Sequence, residues 1–373
     1  MKKNFMSHII EKESCLPDMV AEMNSSGLPL LFYGAGWYAN LLYEIFSRYD
    51  LHISDVVVDS LEYKHQTPEF MGFEVKTFDE ALDSCDQCNV LVAIAYGYRA
   101  FEEIARFENK LKDNKKINRY YYFDGSHFEY NNEVSLEYTF VEDHEDEFQE
   151  LYNKLSDDCS REILVSYINQ RISGGRNGAL PLRDLYTDGL YFPEFIDLHE
   201  DEVFVDCGAY DGDSINAFIA NMGSKKYAHI YAFEPDASSF DKLMKRGYEN
   251  MTAINKGVYS DGRTLCFSSK GNMSSALCES GDIEVEVDSV DNVLNGKRAT
   301  YIKFDVEGAE LAAIEGAKET IKAFRPKLAI EMCHKNEDLV TLPQKILSYV
   351  PEYKLYLRIH TMYSKDLILY AVL

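Results

Sequence analysis

The stretch VFVDCGAYDGDS, residues 203–214, is a short apolar run that ends in an acid and continues through two glycines. It predicts a buried strand ending at Asp206 and a tight turn, and the apolar residues behind it repeat with helical spacing. The turn consists of Gly208, Ala209, Tyr210, Asp211 and Gly212. A glycine turn lets a ligand approach the backbone, and the helix N-terminus offers free N–H groups. The stretch therefore predicts a ligand site between a strand and a helix.

The spacing of these glycines is G-x-x-x-G, which differs from the G-x-G-x-x-G pattern that holds a pyrophosphate. Asp206 beside the turn favours a ligand with positive charge. The next strand, IYAFEP, ends in Glu234 and Pro235, and an acid at the tip of the second strand is placed to accept both ribose hydroxyls of an adenosine. Together these features predict a nucleoside with a cationic reactive end, of which S-adenosylmethionine is the common one.

Two later strand ends carry further polar residues. KFDVEGAEL places Asp305, Glu307 and Glu310 at the mouth of the same sheet, where open α/β folds bind ligands. Helix-dipole stabilisation in a first turn explains Glu310 well and Asp305 poorly. AIEMCHKNEDL places His334 at another strand tip, where it is either a structural histidine or a catalytic one.

The C-terminal half alternates strands with helices, which predicts a parallel sheet. The predicted strands are EVFVDC, HIYAFE, MTAINKGV, TYIKFDV, KLAIEMC, YKLYLRI and LILYAVL. Only HTMYSKD joins the last two, which is too short for a crossover helix, so they must pair antiparallel. We therefore expect a parallel α/β sheet with an antiparallel terminal hairpin.

The N-terminal part shows a second, smaller α/β pattern over residues 1–125. FYGAGWYA gives G-x-G-x-x-A through Gly34 and Gly36, and Asp59 follows at the end of the next strand, which fits a dinucleotide-binding turn. The bulky Trp37 beside the turn hinders the approach of a pyrophosphate, so a docking domain that binds no ligand is an equal alternative. Residues 126–185 are interpreted as an acidic helical connector and a Gly-rich loop, and residues 186–373 as the second domain.

The composition excludes several partners. Lys+Arg 38 against Asp+Glu 63 gives a net charge of −25, which repels nucleic acid and anionic membranes. No apolar run approaches the length of a membrane span, and the N-terminus lacks the apolar core of a signal peptide, so we expect a cytoplasmic protein without stable membrane insertion. The eight cysteines fit reduced core residues, and no second Cys or His pair completes a zinc site with Cys85 and Cys88.

The quoted segments VFVDCGAYDGDS, YAFEP, VEVDSVDNVL and IKFDVEGAELAAIEGA resemble the FkbM family of S-adenosylmethionine-dependent methyltransferases. YFPEF before the first strand, and CHKNEDLVTLP with the closing hairpin, also match that pattern, so the resemblance covers residues 186–373. It implies a class I methyltransferase sheet, with a Rossmann-like topology, and O-methylation of sugar hydroxyls. By the resemblance, Asp206, Gly208 and Gly212 line the cofactor, Glu234 binds its ribose, and Asp305 faces the sulfonium and the acceptor.

The N-terminal Rossmann-like domain is similar to the small N-terminal domains of bacterial sugar O-acyltransferases, through LLFYGAGWYANLL, VVVD, FMGFEVKTFDEAL and VLVAIAYGYR. Those domains recognise nucleotide-linked sugars. The resemblance therefore implies that this part of the chain recognises a nucleotide-linked sugar.

These observations predict an S-adenosylmethionine-dependent O-methyltransferase that acts on a sugar hydroxyl of a nucleotide-sugar, polysaccharide or glycoconjugate precursor. His334 or Glu307 is the expected general base, and Asp305 completes the catalytic set. Mg²⁺ held by Asp305, Glu307 and His334 is an alternative activator, although no metal is expected. Two rival functions are a nicotinamide-dependent sugar-modifying oxidoreductase and a non-catalytic binding module. The acceptor, a small molecule or a glycan, stays open, as does assembly into a homo-oligomer.

Overall fold

The computed structural model describes residues 4–94, 101–126, 136–267 and 283–373. Its contacts separate the chain into two compact units. Unit 1 comprises residues 1–143, 165–186 and 361–365, and unit 2 comprises residues 144–164, 187–360 and 366–373. The segment 126–185, interpreted from the sequence as a connector, is thus divided between the units, and residues 127–135 within it lie outside the described part.

Unit 1 contains a six-stranded sheet in the order β3-β4-β2-β1-β5-β6. The strands are β1 (Leu30–Tyr33), β2 (Asp55–Val58), β3 (Glu69–Phe70), β4 (Phe73–Thr77), β5 (Cys88–Val92) and β6 (Ile117–Tyr121). All pairs are parallel except the β3–β4 hairpin. β1 and β5 are buried along their whole length, which explains their continuous apolar sequences, because helices cover both faces of a parallel sheet.

Among the described residues, six α-helices lie wholly within unit 1. They are α1 (Leu16–Ser25), α2 (Trp37–Ser47), α3 (Leu61–Gln66), α4 (Phe78–Asp83), α5 (Phe101–Lys112) and α6 (Tyr138–Asp143). α4 begins at a capping box, in which the Thr77 hydroxyl accepts from the Glu80 N–H and the Glu80 carboxylate accepts from the Thr77 N–H. The alternation of strands and helices predicted for residues 1–125 is therefore present in the described residues, and residues 95–100 lie outside them.

Unit 2 contains a seven-stranded sheet in the order β15-β16-β14-β13-β7-β8-β9. The strands are β7 (Val203–Cys207), β8 (His229–Phe233), β9 (Met251–Ile254), β13 (Tyr301–Phe304), β14 (Lys327–Glu331), β15 (Lys354–Ile359) and β16 (Leu367–Val372). β16 runs antiparallel to both of its neighbours, β14 and β15, and the other pairs of this sheet are parallel. The parallel sheet with an antiparallel terminal hairpin, the class I methyltransferase arrangement, is confirmed.

A small second sheet of unit 2 has the order β10-β12-β11. It is formed by β10 (Gly257–Val258), β11 (Arg263–Phe267) and β12 (Ile283–Asp288). The sequence analysis treated MTAINKGV as one strand, but the backbone leaves the large sheet after Ile254 and its last two residues pair with β12 instead.

The remaining helices are α7 (Glu145–Lys154), α8 (Asp158–Ser173), α9 (Asp213–Met222), α10 (Ala237–Lys245), α11 (Val290–Leu294), α12 (Glu310–Glu315), α13 (Lys318–Phe324) and α14 (Asp338–Tyr349). Phe204 of β7 stacks on Phe218 of α9 with ring centroids 4.7 Å apart. This contact fixes the helix against the strand, so the glycine turn between them has a defined path. Among the described residues, every helix is too short or too polar to cross a bilayer.

Candidate active site

The glycine turn of unit 2 joins β7 to α9. Gly208 has φ +99°, and a side chain there would collide with the carbonyl oxygen of Asp305 on the neighbouring strand. Gly212 has φ +91°, and a Cβ at this position would lie 2.7 Å from the Tyr248 hydroxyl. Both positions therefore require glycine, because the left-handed backbone and the close neighbours exclude a side chain.

Asp206 lies behind this turn and not at its surface. Its side chain is fully buried, accepts a hydrogen bond from the Ser214 hydroxyl, and pairs with the Lys303 ammonium at 3.2 Å. Burial raises the pKa of Asp206, against the opposing effect of Lys303. Its carboxylate supports the turn from inside the protein, and its contact with the cofactor stays a prediction.

Lys303 is a site residue that the sequence analysis missed. Its Nζ is buried and donates to the Gly208 carbonyl at 2.7 Å, and it lies 3.2 Å from Asp206 and 3.4 Å from Asp305. Burial alone would lower the pKa of Lys303, but the two carboxylates outweigh it and raise that pKa. The available signal was a lysine inside the apolar strand YIKF, since a lysine is almost never fully buried unless it is paired.

Glu234 follows β8 and holds two turns together. Its two carboxylate oxygens accept from the backbone N–H groups of Tyr210 and Asp236, each at 2.8 Å. The side chain is 5% exposed, and burial raises its pKa. Glu234 therefore ties the glycine turn to the β8 turn, while its oxygens keep lone pairs for further donors.

The neighbours of Glu234 differ in exposure. Ala209 is fully buried and its N–H donates to the Phe233 carbonyl at 2.9 Å. Tyr210 has φ +45° and a side chain that is 52% exposed. Pro235 precedes Asp236, whose carboxylate caps α10. Of the predicted cofactor residues, Tyr210 and Pro235 are the exposed ones.

Asp305, Glu307 and His334 come together at the ends of β13 and β14. Each offers one nitrogen or oxygen atom, and these three atoms all lie within 4.8 Å of one another. The Asp305 carboxylate accepts from the Tyr191 hydroxyl at 2.9 Å. Although burial opposes it, Lys303 and His334 lower the pKa of Asp305. Tyr191, in the quoted YFPEF, is a second residue whose position in the site the sequence did not indicate.

His334 is held by two acids. Its Nδ1 lies 3.0 Å from the Glu310 carboxylate and its Nε2 lies 3.4 Å from Glu307. Burial lowers the pKa of His334, but Glu310 and its other neighbours outweigh burial and hold that pKa well above 6.5. The two neighbouring carboxylates therefore favour the protonated imidazole, and the role of His334 as general base stays a prediction.

Glu310 has a larger role than a first-turn acid. It is the first residue of α12, and its side chain is fully buried. One of its carboxylate oxygens accepts hydrogen bonds from the backbone N–H groups of Val306, at 2.9 Å, and Gly308, at 3.3 Å. The same oxygen contacts His334. Glu310 therefore fixes both the turn that carries Glu307, a residue with φ +53°, and the orientation of the imidazole.

The predicted nucleotide turn of unit 1 is also formed. Gly34 has φ +141° and a side chain there would collide with the Ala93 carbonyl, whereas Gly36 has open space around it. Asp59 accepts from the Tyr33 hydroxyl at 2.6 Å and from Lys110 at 2.8 Å. The acid that a dinucleotide ribose would need is thus already engaged by two donors.

Comparison with known proteins bears on unit 2. Residues 206–356 match the family model described as the methyltransferase FkbM domain. A crystal structure of methyltransferase FkbM from Methylobacillus flagellatus shares 21% identity and covers 99% of this chain and 98% of that chain, with a TM-score of 0.72. Aeropyrum pernix fibrillarin, solved with natively bound S-adenosyl-L-methionine, covers 49% and 73% of the two chains at 11% identity, with a TM-score of 0.32. No curated protein matched this chain.

On the match over residues 206–356, this chain is a methyltransferase that uses S-adenosylmethionine. The residues present fit this cofactor. The Glu234 carboxylate keeps lone pairs that suit the ribose hydroxyls of an adenosine, and the Asp305 carboxylate at the end of β13 suits a sulfonium cation.

Proposed function

We propose that this S-adenosylmethionine-dependent methyltransferase methylates a hydroxyl group on a sugar of a nucleotide-sugar, polysaccharide or glycoconjugate precursor. The observation that carries the proposal is the cluster of Asp305, Glu307 and His334 at the strand ends beside the glycine turn. Lys303 contacts both Asp305 and the Gly208 carbonyl, so the cluster and the turn share one buried charge.

The cofactor supplies a methyl group on a sulfonium, and the protein must align the acceptor oxygen, the methyl carbon and the sulfur. The O–C bond forms as the C–S bond breaks, which leaves a thioether and a methyl ether. The hydroxyl proton must leave as well, because a neutral sugar hydroxyl is a poor nucleophile. A positioned base contributes about 10²–10⁴-fold to such a step.

Glu307 is the base that the contacts favour. Its side chain is 37% exposed, whereas His334 is buried between two carboxylates that raise its pKa. The Nε2 atom of His334 lies 3.4 Å from the Glu307 carboxylate and holds it at the turn. In this assignment His334 and Glu310 are positioning residues, and the hydroxyl proton passes to Glu307.

The choice of a sugar acceptor is supported by the resemblances described above. The N-terminal similarity to sugar O-acyltransferase domains suggests that unit 1 recognises the nucleotide-linked part of such an acceptor. Unit 1 lies outside the matched residues 206–356.

The decisive experiment incubates the full chain with S-adenosylmethionine and a panel of nucleotide sugars, then searches by mass spectrometry for a gain of one methyl group. The E307Q variant should transfer the methyl group about 10²–10⁴-fold more slowly. Glu315, on the same helix as Glu310 but paired with Lys345 at 2.7 Å, provides the control E315Q, which should match the unaltered chain. Methylation of a non-sugar acceptor alone, or equal loss in both variants, would refute the proposal.

A further inference from the structure

The Asp305, Glu307 and His334 cluster has the composition of a cation site. Its two carboxylates and one imidazole come from three positions of the fold: the end of β13, the turn after it, and the segment after β14. The three ligand atoms all lie within 4.8 Å of one another. A metal–ligand distance is about 2.0–2.6 Å, so two ligands on opposite sides of one ion are about twice that distance apart. The three atoms are therefore close enough to contact the same ion.

The imidazole is oriented as a ligand. Nδ1 contacts the buried Glu310 carboxylate at 3.0 Å, and Nε2 lies 3.4 Å from Glu307. An ion bound at Nε2 would take the place of the proton there, because histidine binds metals as the neutral imidazole. Histidines that bind metals almost always have their second nitrogen bonded to a carboxylate, a carbonyl or water. Glu310 is itself held by two backbone N–H groups, so the ring orientation is fixed before any ion binds.

Asp305 is oriented in the same way. Its Oδ2 accepts from Tyr191 and lies 3.4 Å from Lys303. Both contacts use Oδ2, so Oδ1 is the oxygen available to an ion. The carboxylate is thus held by partners that do not occupy its second oxygen.

An independent observation comes from Glu331 on the neighbouring strand. β13 and β14 pair with Phe304 opposite Ile330, so Glu331 follows level with Asp305. Its side chain is 2% exposed, and Oε1 has no hydrogen-bond partner among the described residues. A buried oxygen without a partner costs about 1–3 kcal/mol, and a hydrated ion beside Asp305 would bring a donor to it.

We propose that Asp305, Glu307 and His334 bind one divalent cation of the hard class, such as Mn²⁺ or Mg²⁺. Carboxylate oxygens suit these ions, and one imidazole is compatible with Mn²⁺. This inference rests on the proposed hydroxyl methylation. The cation would hold the acceptor oxygen and weaken its O–H bond. The proton would pass to the carboxylate oxygen of Glu307 that does not contact the ion. The O–C bond would form as the C–S bond breaks.

The test is calorimetric titration of the full chain with MnCl₂, after treatment with EDTA and gel filtration, without cofactor or acceptor. One Mn²⁺ should bind per chain, and D305N and E307Q should each weaken binding at least about tenfold, a loss of about 1.4 kcal/mol. Mg²⁺ should compete with Mn²⁺ for the site.

The acidic surface makes matched controls necessary. D59N removes the same charge from a strand end of unit 1 and should leave Mn²⁺ binding unchanged. H334Q should weaken binding, while H229Q, which alters the unit 2 histidine that contacts Thr252 at 2.9 Å, should not. Thermal melting of each variant separates loss of binding from loss of folding.

Absence of stoichiometric Mn²⁺ binding, or equal weakening by D305N and D59N, would overturn the cation proposal. Methyl transfer that survives EDTA would overturn it too while leaving hydroxyl methylation intact. Stoichiometric Mn²⁺ binding without methylation of any sugar would instead refute the proposed function alone. The two proposals therefore fail in distinguishable ways.

Discussion

Each unit has a glycine turn between the first strand of its large sheet and the helix that follows, yet the charges near the two turns differ. In unit 1 the nearest strand-end acid, Asp59, is half exposed and pairs with Lys110 at the surface. In unit 2 the strand that leads into the turn carries an acid of its own, Asp206, which is fully buried and shares the buried Lys303 with Asp305. The comparison indicates that a backbone turn alone does not define a site, and that the buried charges behind it distinguish the two.

The largest expected effect comes from removing the buried lysine. K303M leaves two carboxylates without their cation and should lower the free energy of unfolding by about 3–5 kcal/mol. The matched change K110M breaks a pair whose side chains are 38% and 51% exposed, and should cost no more than about 1 kcal/mol. Urea unfolding of both variants measures the difference.

The double variant K303M/D206N is the control for this prediction. It removes one of the two unpaired charges and should recover part of the lost stability. Equal losses for K303M and K110M would show that the charges do not distinguish the two turns.

The next effect concerns the glycines. G208A places a side chain at φ +99° against the Asp305 carbonyl and should cost at least about 2 kcal/mol of stability, with loss of S-adenosylmethionine binding. G36A meets open space and should cost less than about 1 kcal/mol. Thermal unfolding and calorimetry with the cofactor check both values, and a harmless G208A would contradict the described turn.

A smaller effect is expected at the strand-end acids. E234Q should weaken S-adenosylmethionine binding about 10–100-fold, because a hydrogen bond to a charged acceptor contributes about 1.5–3 kcal/mol. D59N should leave that affinity unchanged, since Asp59 belongs to unit 1 and is engaged by Tyr33 and Lys110. Calorimetric titration of both variants distinguishes the two acids.

The smallest effect is a pH dependence. Burial raises the pKa of Glu234 above its ordinary value of 4.5, against two backbone N–H groups that lower it. The ionised carboxylate is the form that accepts ribose hydroxyls, so cofactor affinity should begin to fall with acidification at a pH above 4.5. The same titration of E234Q should lack this fall; a fall retained in E234Q would assign the dependence to another group.

The sequence predicted the strands of both large sheets and the antiparallel hairpin, because buried strands and a seven-residue connection leave few alternatives. It also predicted that Asp305, Glu307 and His334 lie at one edge of the sheet, because the ends of parallel strands meet there. It did not predict the burial of Asp206, since the charge that makes this burial tolerable, Lys303, lies 97 residues away.

The sequence also did not predict that Glu310 contacts His334. Its spacing from Glu307 predicts a first-turn acid, and it does begin α12. Its contact with His334 depends on how the turn after β13 folds towards the end of β14, which residue spacing does not specify. The three-stranded sheet was missed for a related reason, because β10 contributes only two residues to it.

The segment 361–365 has a consequence for synthesis on the ribosome. Met362 and Tyr363 belong to the hydrophobic core of unit 1, and Ser364 donates to the buried Asp124. Translation at about 5–20 residues per second would deliver these residues roughly ten seconds or more after residue 186. The N-terminal unit thus cannot complete its core while it emerges, and a nascent chain stalled before residue 361 should expose it to proteases and chaperones.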